Sequence, residues 1–579
     1  MPRDPIAPEK AAGITAALDK LYEFERAPVP PDKLQSARHF AALLAGEHVA
    51  GTEFVIGALF VAWGARTADI IFGLLLGNLM AVLTWTFICT PIAIQTRLTL
   101  YWYLRRIAGP GTTAIYNLCN AFLFCILAGC MITVSASSIR ILFGIPPQTN
   151  WYPEDYRFVL LVLVLGTVVV TLAILGFKKL AQFAEVCSIW MFFMFIAGAL
   201  ALLPALMAKE GLESLRTWGD FWRLADKYIW TGAAPQGRPS LSFWHVAAFA
   251  WICNLAMHGG LSDMALFRYA KGIRCGLTSA VGMFFGHYVA WICAGIMGAA
   301  TALMLNTTMD KLDAGGIALN ALGVAGAITV ILAGWTTSNP TLYRAGLAFQ
   351  AVTPGWPRWL VTLLAGIGTT VVACFPFVFT RLLDFAGWYG LLLMPMGAIV
   401  FVEHWIFPRI GLTRYWASRR GLIFSWPALL SWGLAIATSL LLTQTGTLHL
   451  FFLFLPIWLL TMILYTGFAA MAGARVHYPD ASAAPEDAAA PVPAAARTLV
   501  REIERPAVER TWIYWLSGGA ALVSLLVCIA LPLWVFWQGT PGYESRMVTF
   551  KTALLWASLI HLSSATIWMV HKERRQGGF

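Results

Sequence analysis

The chain has 579 residues, 59% of them hydrophobic and only 12% charged, with a mean hydropathy of +0.69. A soluble globular chain carries about twice that share of charge, so a water-soluble domain is excluded and lipid is the solvent for most of the molecule. The formal net charge of +11 would suit a nucleic-acid partner if the basic residues formed one patch, but they cluster in alternate loops, and no nucleic acid is expected.

Residues 1–38 are polar and proline-containing, without the apolar core of a signal peptide, and read as a cytoplasmic tail. Apolar runs of the length a spanning helix needs, about 20 residues, then follow one another. Spans one to six fall near 40–64, 68–94, 113–143, 158–176, 181–207 and 243–264, and spans seven to twelve near 277–305, 318–349, 358–379, 383–406, 422–442 and 449–470. Two more lie near 512–536 and 549–570. The predicted organisation is therefore a twelve-helix core over 39–472, a linker over 473–510 and a two-helix appendage over 511–579. The linker contains ASAAPEDAAAPVPAAA, which has no apolar periodicity with which to bury a core. Ten cysteines stand singly and mostly inside apolar runs, with no CxxC pair, and read as reduced, buried thiols.

Orientation follows from the basic residues. With the N-terminus inside, the cytoplasmic loops hold Arg97, Arg105 and Arg106, then Lys178 and Lys179, then Arg268, Lys271 and Arg274. Arg409, Arg414, Arg419 and Arg420 follow, with Lys572, Arg574 and Arg575 at the end. The expectation is a multi-pass protein of a bacterial-type inner membrane with both termini cytoplasmic.

Three spans carry chemistry. Backbone at membrane depth is left unpaired only where it lines a cavity or holds a ligand. Span one reads HFAALLAGEHVAGTEFVIGALFVAWG, interleaving Gly46 and Gly51 with Glu47, His48, Thr52 and Glu53. At about 1.5 Å per residue, Glu53 sits near mid-bilayer, where a carboxylate needs a partner. Its candidate roles are a structural bond to a neighbouring helix, a counter-ion to cation or substrate, or a protonated carboxyl that exchanges its proton during transport. Span six reads FWHVAAFAWICNLAMHGGLSDMALFRYAK, with Asn254 and His258 before a break at Gly259 and Gly260. Asp263 beyond it reads as a gate, cap or binding residue. Span eight carries the polar run Thr336, Thr337, Ser338, Asn339 and Pro340. Lone hydroxyls in such helices usually bond back to the preceding turn, but a pair of them at the depth of a break suits a hard cation.

At these residues the chain resembles the nucleobase–cation symporter family, and within it the cytosine permeases, over roughly residues 35–470. The resemblance is carried by GLLLGNLMAVLTW in span two, SDMALFRYAKGIRCGLTSAVGMFFGHY from the end of span six, WTTSNPTLYRAGLAF in span eight and FAGWYGLLLMPMGAIVFVEHWIF in span ten; the span-eight block is the most specific. It implies an all-α LeuT-like fold of two inverted five-helix repeats, a midplane substrate and unwound spans one and six. It also implies a sodium site of the Thr336 and Thr337 hydroxyls with carbonyls from Ala333 and from Gly46, Glu47, Val49 and Ala50. Where the family presents an aromatic residue and a glutamine from span three, this chain offers Asn120 and Phe124, and it adds Glu53 and His258. The substrate-binding set read here is thus Thr52, Glu53, Asn120, Phe124, Asn254, His258 and Asn339.

The function expected is secondary active symport of a small nitrogen-containing solute, such as a nucleobase or related heterocycle, with sodium or a proton. The rival is a transporter-like sensor signalling through the C-terminal helices. No nucleophile elbow, HExxH or paired-carboxylate motif points to an enzyme.

Overall fold

The computed structural model describes residues 23–148, 150–234, 239–376, 382–478 and 512–575, all helices and connecting turns with two isolated β-bridges. Helix is what lipid demands, since it alone satisfies every backbone group within one open segment. Among the described residues ten helices are long and apolar enough to cross a bilayer, and Ala37–His48 with Glu53–Ala62, bent 53° apart, make an eleventh. The chain is a multi-pass membrane protein.

The predicted count of twelve plus two is not reached on that criterion, and the reason is physical. Span six is cut into Phe243–Ile252, Leu255–His258 and Met264–Phe267. Span eight divides at Gly323 (φ 63°) into Ala314–Leu322 and Val324–Val352, and the longer piece carries the polar run. Span nine is a helix of 16 residues, Arg358–Ala373. Breaks and polar runs dilute the apolar signal in the helices that do the chemistry.

Packing between the halves is reciprocal. Span two (Thr67–Thr96) packs on the first part of span six, while span seven (Ile273–Met304) packs on the second part of span one. Span three (Leu100–Leu142) lies along span eight. Exchanging spans one to five with six to ten keeps these pairings of whole spans, two with six, seven with one and three with eight, as two inverted five-helix repeats do, although the half of the broken span that is met differs between the two. The two equivalent seams close on glycine. A Cβ on Gly57 would stand 2.4 Å from the Trp291 carbonyl oxygen, and one on Gly77 would stand 2.1 Å from that of Ala247. Backbone oxygen cannot rotate away as a side chain can, so Gly57→Ala and Gly77→Ala are each expected to cost about 1–3 kcal/mol. A lowered melting temperature in detergent checks this; wild-type stability in both would mean the seams are looser than described.

Two segments outside the core are tied to it. Residues 23–36 of the predicted tail lie against spans six and eight: the Gln35 amide donates to Tyr269 O (2.6 Å), Arg268 Nη1 to Phe24 O (2.7 Å) and Arg26 Nη2 to the carbonyls of Gln350 and Thr353 (2.7 Å each). The appendage helices, Trp512–Trp537 and Tyr543–Arg575, pack on each other and on span five (Phe177–Glu210). Trp190 Nε1 donates to Ser558 Oγ (3.1 Å), Tyr543 donates to Ala201 O (2.9 Å), and Phe550 and Leu554 are buried. Most of the predicted linker, 479–510, lies outside the described residues.

Candidate functional site

Both breaks are where glycine and small polar residues foretold them. Span one breaks between its two helices over residues 49–52, where the Val49 amide still bonds Ala45 O, with Gly51 pressed between Val134 and Val330. In span six the chain unwinds after His258, and Leu261 takes φ +64°, a conformation that costs a branched residue energy and recurs at functional sites. Between the breaks lies a cavity of about 50 Å³, counted as room for the centre of a water-sized sphere. Its polar rim includes Thr52, Glu53, Asn254 and His287, and its apolar wall includes Leu127, Met131 and Met257, with Tyr389 beside them.

Glu53 is buried at this rim without a lysine or arginine partner among the described residues. Oε2 accepts a short hydrogen bond from Trp291 Nε1, Oε1 accepts one from the Thr52 hydroxyl (3.4 Å), and His287 Nε2 stands 3.9 Å from Oε1. His287 lies flat on Trp291, centroids 4.4 Å apart. A π-type turn, Gly282–Val289, carries His287, and its counterpart in span two, Trp85–Cys89, carries Trp85. Such widened turns are frequent at functional sites in helices; here His287 lines the cavity, while Trp85 packs behind it on His48 and His258.

A step away, four oxygens converge. The Thr337 hydroxyl reaches Glu47 O across to span one (2.7 Å) and Ala333 O on its own helix (3.0 Å), while Thr336 bonds back to Ala333 O (3.1 Å). Gly46 lies against Thr336, since a Cβ there would be 3.5 Å from the Thr336 Cβ. Carbonyls and hydroxyls of this kind are the hard donors an alkali cation takes.

Glu47 has a second role through its side chain. Arg344 donates to both Glu47 oxygens (Nη1 2.6 Å, Nη2 3.0 Å) and to Asp263 Oδ1 (Nε 2.8 Å, Nη2 2.5 Å). Asp263 Oδ2 accepts from Trp85 Nε1 (2.6 Å). All three charged side chains are buried. A guanidinium thus locks the breaks of spans one and six to span eight, which assigns Asp263 a structural tie.

The site brings together Thr52, Glu53, Asn254, Glu47, Ala50, Ala333, Thr336 and Thr337. Other expected residues are not brought to the cavity. Asn120 donates to Ser262 Oγ (3.1 Å), Phe124 backs Tyr389 edge-on, Asn339 bonds back to Trp335 O (2.8 Å), and His258 holds Trp251 O (2.9 Å) against Trp85. Val49 is buried, its amide bonded to Ala45 O. Sequence reasoning missed His287, Trp291, Trp85, Tyr389 and Arg344. Arg344 had a signal, because a charge inside a predicted span is a functional hypothesis in itself.

No family profile matches the chain. Over 194 residues it is 30% identical to the cytosine permease of Escherichia coli strain K12, a match covering 33% of this chain and 43% of that protein. The chain thus spans less than half the length of the curated relatives it matches. Among solved structures it is similar to Mhp1, a nucleobase-cation-symport-1 family transporter in a closed conformation with bromovinylhydantoin bound, at TM-score 0.60 and 14% identity over 80% of this chain and 98% of that one. A Na+-coupled sialic acid symporter in a substrate-bound outward-open state follows at TM-score 0.54 and 13% identity, over 79% and 96%. The sequence match is thus to part of a cytosine permease, and the likeness to the solved structures is one of fold. The two solved structures share the LeuT-like fold with this chain, and all three relatives are transporters rather than enzymes.

Proposed function

We propose that the protein is a secondary active transporter that carries a small nitrogen-containing solute, such as a nucleobase or related heterocycle, together with sodium or a proton. One observation carries the reading: the break of span one joins an oxygen cluster to the rim of the cavity. Its Glu47 carbonyl joins Thr337 and Ala333 in an oxygen cluster, and its Thr52 and Glu53 form the rim of the cavity. A cation drawing on that carbonyl fixes the backbone that places Glu53, so each ligand favours the geometry the other needs. Thr336, Thr337, Ala333 and Glu47 would hold the cation with Gly46 and Ala50 beside them, and Thr52, Glu53 and Asn254 would meet the solute. The site would lie midway through an inner membrane of bacterial type, with both termini cytoplasmic.

The test is uptake into proteoliposomes with a panel of labelled nucleobases, hydantoins and small amines. An inward sodium gradient should drive at least one of them above its equilibrium level, and an equal potassium gradient should not. Accumulation driven only by a pH gradient would replace sodium with the proton. Binding without accumulation under any gradient would overturn transport in favour of a sensor.

A further inference from the structure

We infer that the solute is a small organic cation bearing N–H donors, of the protonated amine, amidine or guanidine class, held at Glu53 and His48. This deepens the symport reading and rests on it.

The inference comes from counting donors, acceptors and charge around the cavity. Among the described lining residues there is no lysine or arginine. The nearby cation, Arg344, is consumed, with each of its three nitrogens bonded to Glu47 or Asp263. Arg344 therefore has no nitrogen left to offer Glu53 or a solute. Glu53 adds another carboxyl, supported by the neutral donors Trp291 and Thr52 and by the more distant His287.

His48 supplies an independent observation. It is 2% exposed and lines the cavity. Its Nδ1 lies 2.8 Å from Leu44 O, which only an N–H satisfies, and in the neutral ring this leaves Nε2 as a lone pair. That nitrogen is buried and has no partner. A buried acceptor left unmade is expensive, and one lining a cavity beside a carboxylate is an invitation to a donor. The Thr52 hydroxyl is already spent on Glu53 and that of Thr341 on Thr337 O. The Glu53 carboxyl and the His48 lone pair thus face the cavity as acceptors, beside the Asn254 amide, the His287 ring and the Tyr389 hydroxyl, while Leu127, Met131 and Met257 offer an apolar wall. A flat neutral base with as many acceptors as donors leaves Glu53 uncompensated; an N–H-rich cation satisfies both groups.

Isosteric pairs test this on the full-length protein in detergent: benzamidine against benzamide, and methylguanidine against methylurea, each followed by calorimetry and thermal shift in sodium chloride and in potassium chloride. The expected result is that the cation of at least one pair binds about tenfold or more tightly than its neutral partner, and that Glu53→Gln removes the difference. The comparison within each pair needs only wild-type protein, so a poorly folding variant does not spoil it. Neutral partners that bind as well as the cations, a preference that survives in Glu53→Gln, or no binding of either cation at millimolar concentration would each overturn the inference. The two readings fail separately. Neutral compounds bound only in sodium would leave symport standing and remove the organic cation, whereas cations bound through Glu53 with no response to sodium would do the reverse.

Discussion

Arg344→Met is expected to destabilise the protein by about 3–5 kcal/mol, the largest loss for any single substitution considered for this chain. Methionine keeps most of the volume but leaves Glu47 and Asp263 buried with two charges and no cation between them. A buried ion pair as such adds little over an apolar replacement; removing one partner is what costs, because the remaining charge has lost both water and counter-ion. Arg344→Lys should fall in between, since an ammonium keeps the charge but cannot span two carboxylates in fixed fork geometry. Restoring neutrality by adding Glu47→Gln and Asp263→Asn to Arg344→Met should recover part of the loss. Melting temperatures and monodispersity in detergent read out the series. A stable Arg344→Met protein would show that the guanidinium does not hold the two breaks together.

The second large effect concerns the hydroxyl pair. Thr336→Val/Thr337→Val keeps volume and removes both side-chain oxygens from the cluster, so sodium-dependent stabilisation and sodium-driven uptake should both be lost. The apparent sodium affinity is expected to fall by more than about tenfold, or about 1.4 kcal/mol. The single variants should be unequal. Thr337 reaches across to Glu47 O, whereas Thr336 bonds only within its own helix, so Thr337→Val should account for most of the loss. Thermal shift titrated with sodium against potassium at constant ionic strength measures this. An undiminished sodium response in the double variant would remove the cation from this site.

Glycine and polar residues inside apolar runs made the two breaks legible in the sequence, and the Thr337–Ala333 placement followed the family resemblance. The directions of side chains were not legible. In a soluble helix the polar face marks the outside, but in span three or eight both lipid and protein interior are apolar, and periodicity says little about which side meets the cavity. Asn120, Phe124, His258 and Asn339 have the chemistry and the depth for a binding site, and rotation about their helices takes them elsewhere. Trp291 and His287 escaped notice because their relation to Glu53 is made by the packing of span seven on span one, across more than 200 residues of chain. Arg344 lies in the same motif as the hydroxyl pair, and a buried guanidinium there requires an acid close by.

Reciprocal linkage tests the central claim, that one break serves cation and solute together, most directly. The affinity of a transported solute is measured across sodium concentrations, and the affinity of sodium across solute concentrations, on the same purified protein. If Glu47 and Glu53 act from one shared segment, sodium tightens the solute and the solute tightens sodium by the same factor, which for coupled sites is typically about 5–150-fold. Solute affinity that is identical in sodium and in potassium would contradict the account.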